Sequence, residues 1–267
     1  MFASSKLHKL IQDSSWSSVE KRIETHPNEV RKAATCGALY DTLKKSKALP
    51  LHHAVAMDPP KAVVDKLISS FDKAIRITET AYHRTPLHVA CMNHARPEVI
   101  ETLLNHYPDA TRKCDDMKRL PIHYAIANGA SMSTMGLLVN QFPESSKIAD
   151  YRGWLPLHVA CGVRAPIRVV NFIFNLYPPA VLIPDEDGLV PLSLAKLSDP
   201  HPEVISFLLS AMEAEHENRN MKDKIPKETK AVRWRDGNSS EDAMAVNSVT
   251  TSNSVPTKSG ASGLQLV

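Results

Sequence analysis

The sequence predicts an all-α solenoid of about six short helix–loop–helix repeats, and three observations carry that prediction. A phrase recurs as Leu49-Pro50-Leu51-His52-His53-Ala54, Thr85-Pro86-Leu87-His88-Val89-Ala90, Leu120-Pro121-Ile122-His123-Tyr124-Ala125 and Leu155-Pro156-Leu157-His158-Val159-Ala160. A fifth copy, Val190-Pro191-Leu192-Ser193-Leu194-Ala195, lacks the histidine, and the five prolines stand 36, 35, 35 and 35 residues apart. An aromatic marker, Phe71, Tyr107, Phe142 and Tyr177, keeps the same beat, with proline after the last three. Polar links such as Asp150 to Trp154 and Asp185 to Leu189 pair an Asp with a downstream Gly, which suits a tight turn with positive φ at the glycine. Markers in step at such a period mean stacked supersecondary units.

Each element follows in order. Proline has a fixed φ and no N–H, so it suits the first position of a helix, where that donor has no intrahelical partner anyway. The Leu and Ala that follow share one face of that short helix. A second helix begins after a loop containing Pro97, Pro166 or Pro202. Its apolar residues have helical spacing, as in Val99, Ile100, Leu103, Leu104 and Tyr107, or Val63, Val64, Leu67, Ile68 and Phe71. The Tyr-Pro or Phe-Pro pair ends it, because the residue before proline is pushed out of the α region.

The ends fit a capped stack. Leu7, Leu10, Val19, Ile23 and His26-Pro27 outline a degenerate first repeat. From His26 to Pro50 is 24 residues, against 14 or 15 between the later markers, so an insertion of about ten lies within 31–49 and carries Lys44, Lys45 and Lys47. The last helix is expected over Pro202 to Met212, giving a repeat domain of residues 1–212. Residues 213–267 open with the polar run Glu213 to Asn220 and continue rich in Ser, Thr, Asn and Lys, a composition that predicts a disordered tail.

Turn, helix, loop, helix, with Thr-Pro-Leu-His-x-Ala at the first helix, resembles the ankyrin repeat family over roughly residues 7 to 212. The copy at Thr85 to Ala90 matches the phrase in full. The chain departs from the family in its 35–36-residue unit, in Tyr/Phe-Pro where the family has Gly-Ala, and in Leu or Val for Thr in four of five phrases. Where that Thr caps the helix, each loss costs about 0.5–2 kcal/mol, throwing more weight on packing between repeats. The resemblance implies that His52, His88, His123 and His158 are structural, bonding neighbouring turns. It also implies a partner surface made of hairpin tips and the exposed side of the first helix.

Composition narrows the function. The 32 basic and 29 acidic residues leave a net charge of +3, too small to argue for nucleic acid by itself. Cys36, Cys91, Cys114 and Cys161 are expected to be reduced thiols, since the N-terminus lacks the apolar core of a secretory signal. No apolar run approaches the roughly 18 residues of a membrane span. An intracellular location, cytoplasmic or nuclear, is therefore expected, with organelle targeting as an alternative, because the first acidic residue is Asp13. The pairs His88–Cys91 and His158–Cys161 invite zinc, but two repeats separate them by nearer 20 Å, at about 8–10 Å per packed helix. The acids Asp115, Asp116, Asp185, Glu186 and Asp187 lie in turns, where Asp is a turn former. No phosphate-binding loop, nucleophile elbow or metalloprotease motif occurs. No catalytic residue, metal or cofactor is assigned.

The expected function is a protein–protein interaction module, an adaptor or regulator, expected to be monomeric and to hold an extended or acidic protein segment. Counting back from each proline, the partner-binding candidates are Tyr82, Arg84, Met117, Arg119, Tyr151, Arg152 and Trp154, with Met92 on an inner helix. Tyr, Trp and Arg are enriched at binding hot spots. The competing reading is that tip aromatics pack on the adjacent hairpin. A row at Leu137, Phe172, Leu176 and Phe207 on the outer helices is read as half-buried core, with a second contact surface as the alternative. The rival function is nucleic-acid binding through basic tips and the lysines of the insertion. A localisation or partner motif at Lys222 to Arg235, or strand addition by Leu264 to Val267, has weaker support than a solvated linker.

Overall fold

Short helices pack in pairs, and the pairs stack. The structure, a computed structural model, describes residues 5–36, 45–198 and 201–224. Among the described residues there are six helix pairs: α1 (Lys6–Gln12) with α2 (Trp16–Thr25), α3 (Pro50–Ala56) with α4 (Lys61–Ser70), and α5 (Pro86–Met92) with α6 (Pro97–His106). The series continues with α7 (Pro121–Ala127) and α8 (Met132–Gln141), α9 (Pro156–Gly162) and α10 (Ile167–Leu176), and α11 (Pro191–Leu197) and α12 (Pro202–Lys224). The short helices α3, α5, α7, α9 and α11 pack in series, each starting at a proline of the recurring phrase, and α2, α4, α6 and α8 pack in series behind them. One core runs through the stack, from Leu7 and Ile11 through Leu51, Leu87, Ile100, Leu120 and Leu157 to Leu208. It includes, as partly buried members, Leu137, Phe172, Leu176 and Phe207, which accounts for that outer row as core.

Phe71, Tyr107, Phe142 and Tyr177 terminate the outer helices, with φ between −154° and −146°. The chain then turns through a five-residue 3-10 helix in each case: Asp72–Arg76, Pro108–Arg112, Pro143–Lys147 and Pro178–Leu182, with Pro27–Arg31 as the first of the set. The last four each bury two residues, for example Ala74 and Ile75, or Ala180 and Val181, and the first buries Val30. In the first four, the final cation lies over the terminating aromatic of the following repeat. Arg31 stands 5.2 Å from the Phe71 centroid, Arg76 4.3 Å from Tyr107, Arg112 4.1 Å from Phe142 and Lys147 5.8 Å from Tyr177. The aromatic thus has two jobs, ending its own helix and receiving a cation–π contact from the repeat before.

One segment gains structure and one boundary moves. The insertion within 31–49 contributes a small antiparallel sheet, β1 (Ala34–Cys36) paired with β2 (Ser46–Ala48) with Thr35 opposite Lys47. Backbone groups that a longer link would expose are paired there. Lys45 and Lys47 are exposed on this hairpin, whereas Lys44 lies outside the described residues. The last helix does not stop at Met212 but runs on through Glu213 to Lys224. That polar run holds Glu, Ala, Arg, Met and Lys, good helix formers, and no Gly or Pro, so propensity carries the helix past its last core contacts. The remainder of the expected tail, with most of Lys222 to Arg235 and all of Leu264 to Val267, lies outside the described residues.

Candidate functional site

A buried carboxylate organises every hairpin tip. Asp115 accepts the amides of Met117 and Arg119 at 2.9 and 2.8 Å, Asp150 those of Arg152 and Trp154 at 2.8 and 3.0 Å, and Asp185 those of Asp187 and Leu189 at 3.0 and 2.8 Å. Glu79, one residue farther back, accepts the amides of Ala81, Tyr82 and Arg84 at 2.7, 2.9 and 3.3 Å, and the hydroxyl of Ser46 on β2. Burial opposes ionisation of Glu79, yet the bonds from Ser46, Ala81 and Arg84 hold its pKa below the usual value. Each turn places the residue three before the helix proline at positive φ: His83 at 54°, Lys118 at 54°, Gly153 at 78° and Gly188 at 77°. Gly153 is required twice over, since a Cβ there would also stand 2.9 Å from the Glu186 amide.

Single backbone bonds join the tips into a row. Asp116 N–H donates to Tyr82 C=O at 3.0 Å, Tyr151 N–H to Met117 C=O at 3.0 Å, Glu186 N–H to Arg152 C=O at 2.9 Å, and Thr80 N–H to Lys47 C=O at 3.2 Å on β2. The inserted hairpin is therefore the first member of the row.

The repeating histidines support this row from beneath. His88, His123 and His158 accept from the amides of Thr85, Leu120 and Leu155 through Nδ1 at 3.2, 3.0 and 3.3 Å, so the helix start keeps one partner even where Leu replaces the capping Thr. His88 Nε2 reaches the carbonyl of Arg119 in the next tip at 3.1 Å. Burial, the largest cause, pushes His52 and His88 down to about 4. It pushes His53 down to about 3, with His8 and His52 adding to the fall, and lowers His8, His123 and His158 as well. Burial also raises the Cys91 thiol, and pushes Cys161 up to about 12. Among the described residues no group of three His, Cys, Asp or Glu side chains is arranged to hold a metal ion.

The eight candidate residues separate into two sets. Arg84, expected to project, is 2% exposed; its Nε donates to Glu79 at 3.1 Å, its Nη1 to Met92 Sδ at 3.2 Å, and its guanidinium lies 4.6 Å from the Tyr82 centroid. It is a core residue, and half-buried Met92 is its partner. Trp154, expected to leave the turn, is half-buried; its indole N–H donates to Asp185 of the next tip at 2.9 Å. Its ring lies against Gly162, where a Cβ would stand 3.1 Å from Trp154 Cζ3. The reading in which tip aromatics pack on the adjacent hairpin thus describes Trp154. Arg119 is intermediate: its Nε approaches Asp150 of the next tip at 3.4 Å, and its side chain stays 35% exposed. These three residues stand at one position, two before the helix proline. Arg119 and Trp154 each face the buried aspartate of the next tip, whose Oδ1 takes the turn amides and whose Oδ2 needs a donor, whereas Arg84 adds a further bond to the amide-bonded Oε1 of Glu79. The aspartates six before each proline carried that signal in the sequence.

Tyr82, Met117, Tyr151 and Arg152, four or five before the proline, stay on the outside of the row, the first two half-buried and the last two exposed. Arg119 and Arg152 lie 5.8 and 5.6 Å from the Tyr151 centroid, and Arg152 lies 5.7 Å from that of Trp154. Val163 and Leu197, at the ends of α9 and α11, are exposed at 39% and 73%.

No helix among the described residues is long and apolar enough to cross a membrane. No curated protein matches the chain. The family model for the ankyrin repeat matches residues 82–115, which begin at the Tyr82 tip, take in α5 and α6 and end at the buried Asp115. That segment is an ankyrin repeat, and the same helix pair and tip carboxylate recur on either side of it.

Proposed function

We propose that the chain is an adaptor or regulator without catalytic activity that holds a protein partner along the tip row and the inner helices α5, α7, α9 and α11. An ankyrin repeat is a protein–protein interaction module, and the proposal adds the surface. One observation supports it best. Among the exposed large apolar residues, Tyr151 lies on the tip row beside Arg152, and Val163 and Leu197 lie at the C-terminal ends of the inner helices α9 and α11. Exposed apolar groups rimmed by charge mark contact sites. The partner of this reading is an extended protein segment, held by a monomeric stack.

A photo-activatable amino acid at Met117 or Leu197, and separately at Asn140 on the outer side, tests the surface. Adducts with one protein at the first two positions and none at Asn140 are expected. Adducts confined to Asn140 overturn the proposal. Nucleic-acid binding is the second reading, favoured by exposed Lys45 and Lys47 on the inserted hairpin. It requires affinity to fall steeply with salt as phosphate contacts are screened, while an aromatic-anchored protein interface is less sensitive.

A further inference from the structure

We infer, building on the tip-row reading above, that Arg152 is a pre-positioned seat for a carboxylate side chain of the partner segment. Its Nε–H donates to Tyr151 Oη at 2.9 Å, and its guanidinium carbon lies 5.6 Å from the Tyr151 centroid and 5.7 Å from that of Trp154. Trp154 is itself fixed, by the indole bond to Asp185 and by the close approach to Gly162. The guanidinium is therefore held by one of its five N–H donors and by two aromatic side chains. Its terminal nitrogens, Nη1 and Nη2, have no hydrogen-bond partner among the described residues, and the residue is exposed. Two parallel N–H donors in a rigid plane match the two oxygens of a carboxylate. A guanidinium already held in place loses little rotamer freedom on making those bonds.

The surroundings decide which anion fits. On one side stand Lys118 and Arg119, reached through the Tyr151–Met117 backbone bond and the Arg119 contact with Tyr151 at 5.8 Å. On the other side Glu186, whose amide bonds to the Arg152 carbonyl, and Asp187 are both exposed. A singly charged carboxylate balances Arg152 without adding a second charge near those acids. A phosphoryl dianion places that extra charge beside them and is repelled. Further acids on the partner run toward Lys118 and the inserted hairpin, away from Glu186.

The test is an NMR titration of the ¹⁵N-labelled full chain, following arginine Nε–Hε and tryptophan indole signals. The probes are three N-acetylated, C-amidated peptides that share one frame and carry glutamate, glutamine or phosphoserine at the central positions. The Arg152 signal is assigned by its loss in Arg152→Lys. The glutamate peptide is expected to move the Arg152 and Trp154 signals, and the glutamine peptide to bind about tenfold more weakly. Arg152→Lys keeps the charge but loses the fork and the stacking, and is expected to weaken the glutamate peptide about fivefold. Lys113→Gln, a charge change away from the seat, is expected to leave binding within about twofold, as a screened distant charge should. Wild-type affinity in Arg152→Lys, tighter binding of the phosphoserine peptide, or unmoved signals with all three peptides would each overturn the assignment. The tip-row reading fails separately: cross-linking confined to Asn140 removes it. A partner cross-linked at Met117 that binds Arg152→Lys normally removes only the carboxylate seat.

Discussion

Two positions on the same hairpin tips, two or three residues apart in the chain, come to opposite ends. Arg84, Arg119 and Trp154 turn inward to a buried carboxylate, their own Glu79 or the Asp150 and Asp185 of the next tip. Tyr82, Met117, Tyr151 and Arg152 remain on the outer side of the row. Residue type does not separate the sets, since each contains arginine and a large aromatic. What separates them is geometry: the inner position lies within reach of a buried tip carboxylate, at the oxygen the turn amides leave unfilled in Asp150 and Asp185 and at an amide-bonded oxygen in Glu79. Flat, donor-rich side chains therefore serve as latches between repeats wherever such an oxygen is presented, and are left for a partner where it is not.

The largest break in that comparison is expected at Arg84. Removing one member of a buried ion pair strands the other, so Arg84→Ala should cost about 3–5 kcal/mol by urea unfolding. A cost near zero would mean that Glu79 is satisfied by Ser46 and the turn amides alone. Trp154→Ala removes an interlocked ring and leaves Asp185 short of a donor, for an expected loss of about 2–4 kcal/mol. Hydrogen exchange should accelerate in α9 and α11, the helices bordering that latch. Tyr151→Ala, three residues away, should stay within about 0.5 kcal/mol of the parent, as a substitution on the exposed side of the row.

Acid should act on the stack through its buried histidines. The pKa values of His52, His53 and His88 fall to about 4, 3 and 4 in the folded chain, against about 6.5 unfolded. Above that unfolded value both states are neutral and the stability is complete. Between about 6.5 and 4 the unfolded chain binds protons that the folded chain refuses, so stability falls as pH falls. Each histidine contributes up to about 1.4 kcal/mol per pH unit in this window. Urea midpoints at pH 7, 6 and 5 check the sign, and replacing His53, which meets His8 edge to face at 4.8 Å, should flatten the slope. A midpoint unchanged from pH 7 to pH 5 would contradict it.

Much of the fold was legible because it repeats. The prolines at 50, 86, 121, 156 and 191 do start helices, and the aromatic markers do end them. What periodicity could not supply was direction within a turn. Arg84 and Trp154 were read as outward because turns sit at the surface, but a turn closed on a buried carboxylate has an inside as well. Asp115, Asp150 and Asp185 were read as turn formers, which they are, without the consequence that each has a second oxygen to satisfy. Nor does the sequence alone pair Arg76, Arg112 and Lys147 with the aromatic ring that the following repeat places beneath each of them. The extension of α12 to Lys224 was missed because polarity was read as disorder, although the residues are good helix formers.

The most direct test of the account compares Tyr151→Ala with the parent, using the protein cross-linked at Met117 or Leu197 as the titrant in calorimetry. The account predicts a loss of about 2 kcal/mol or more in affinity, as for an interface anchor, with unfolding stability within about 0.5 kcal/mol of the parent. Unchanged affinity, together with a loss of binding on substituting Asn140 on the outer side, would contradict it.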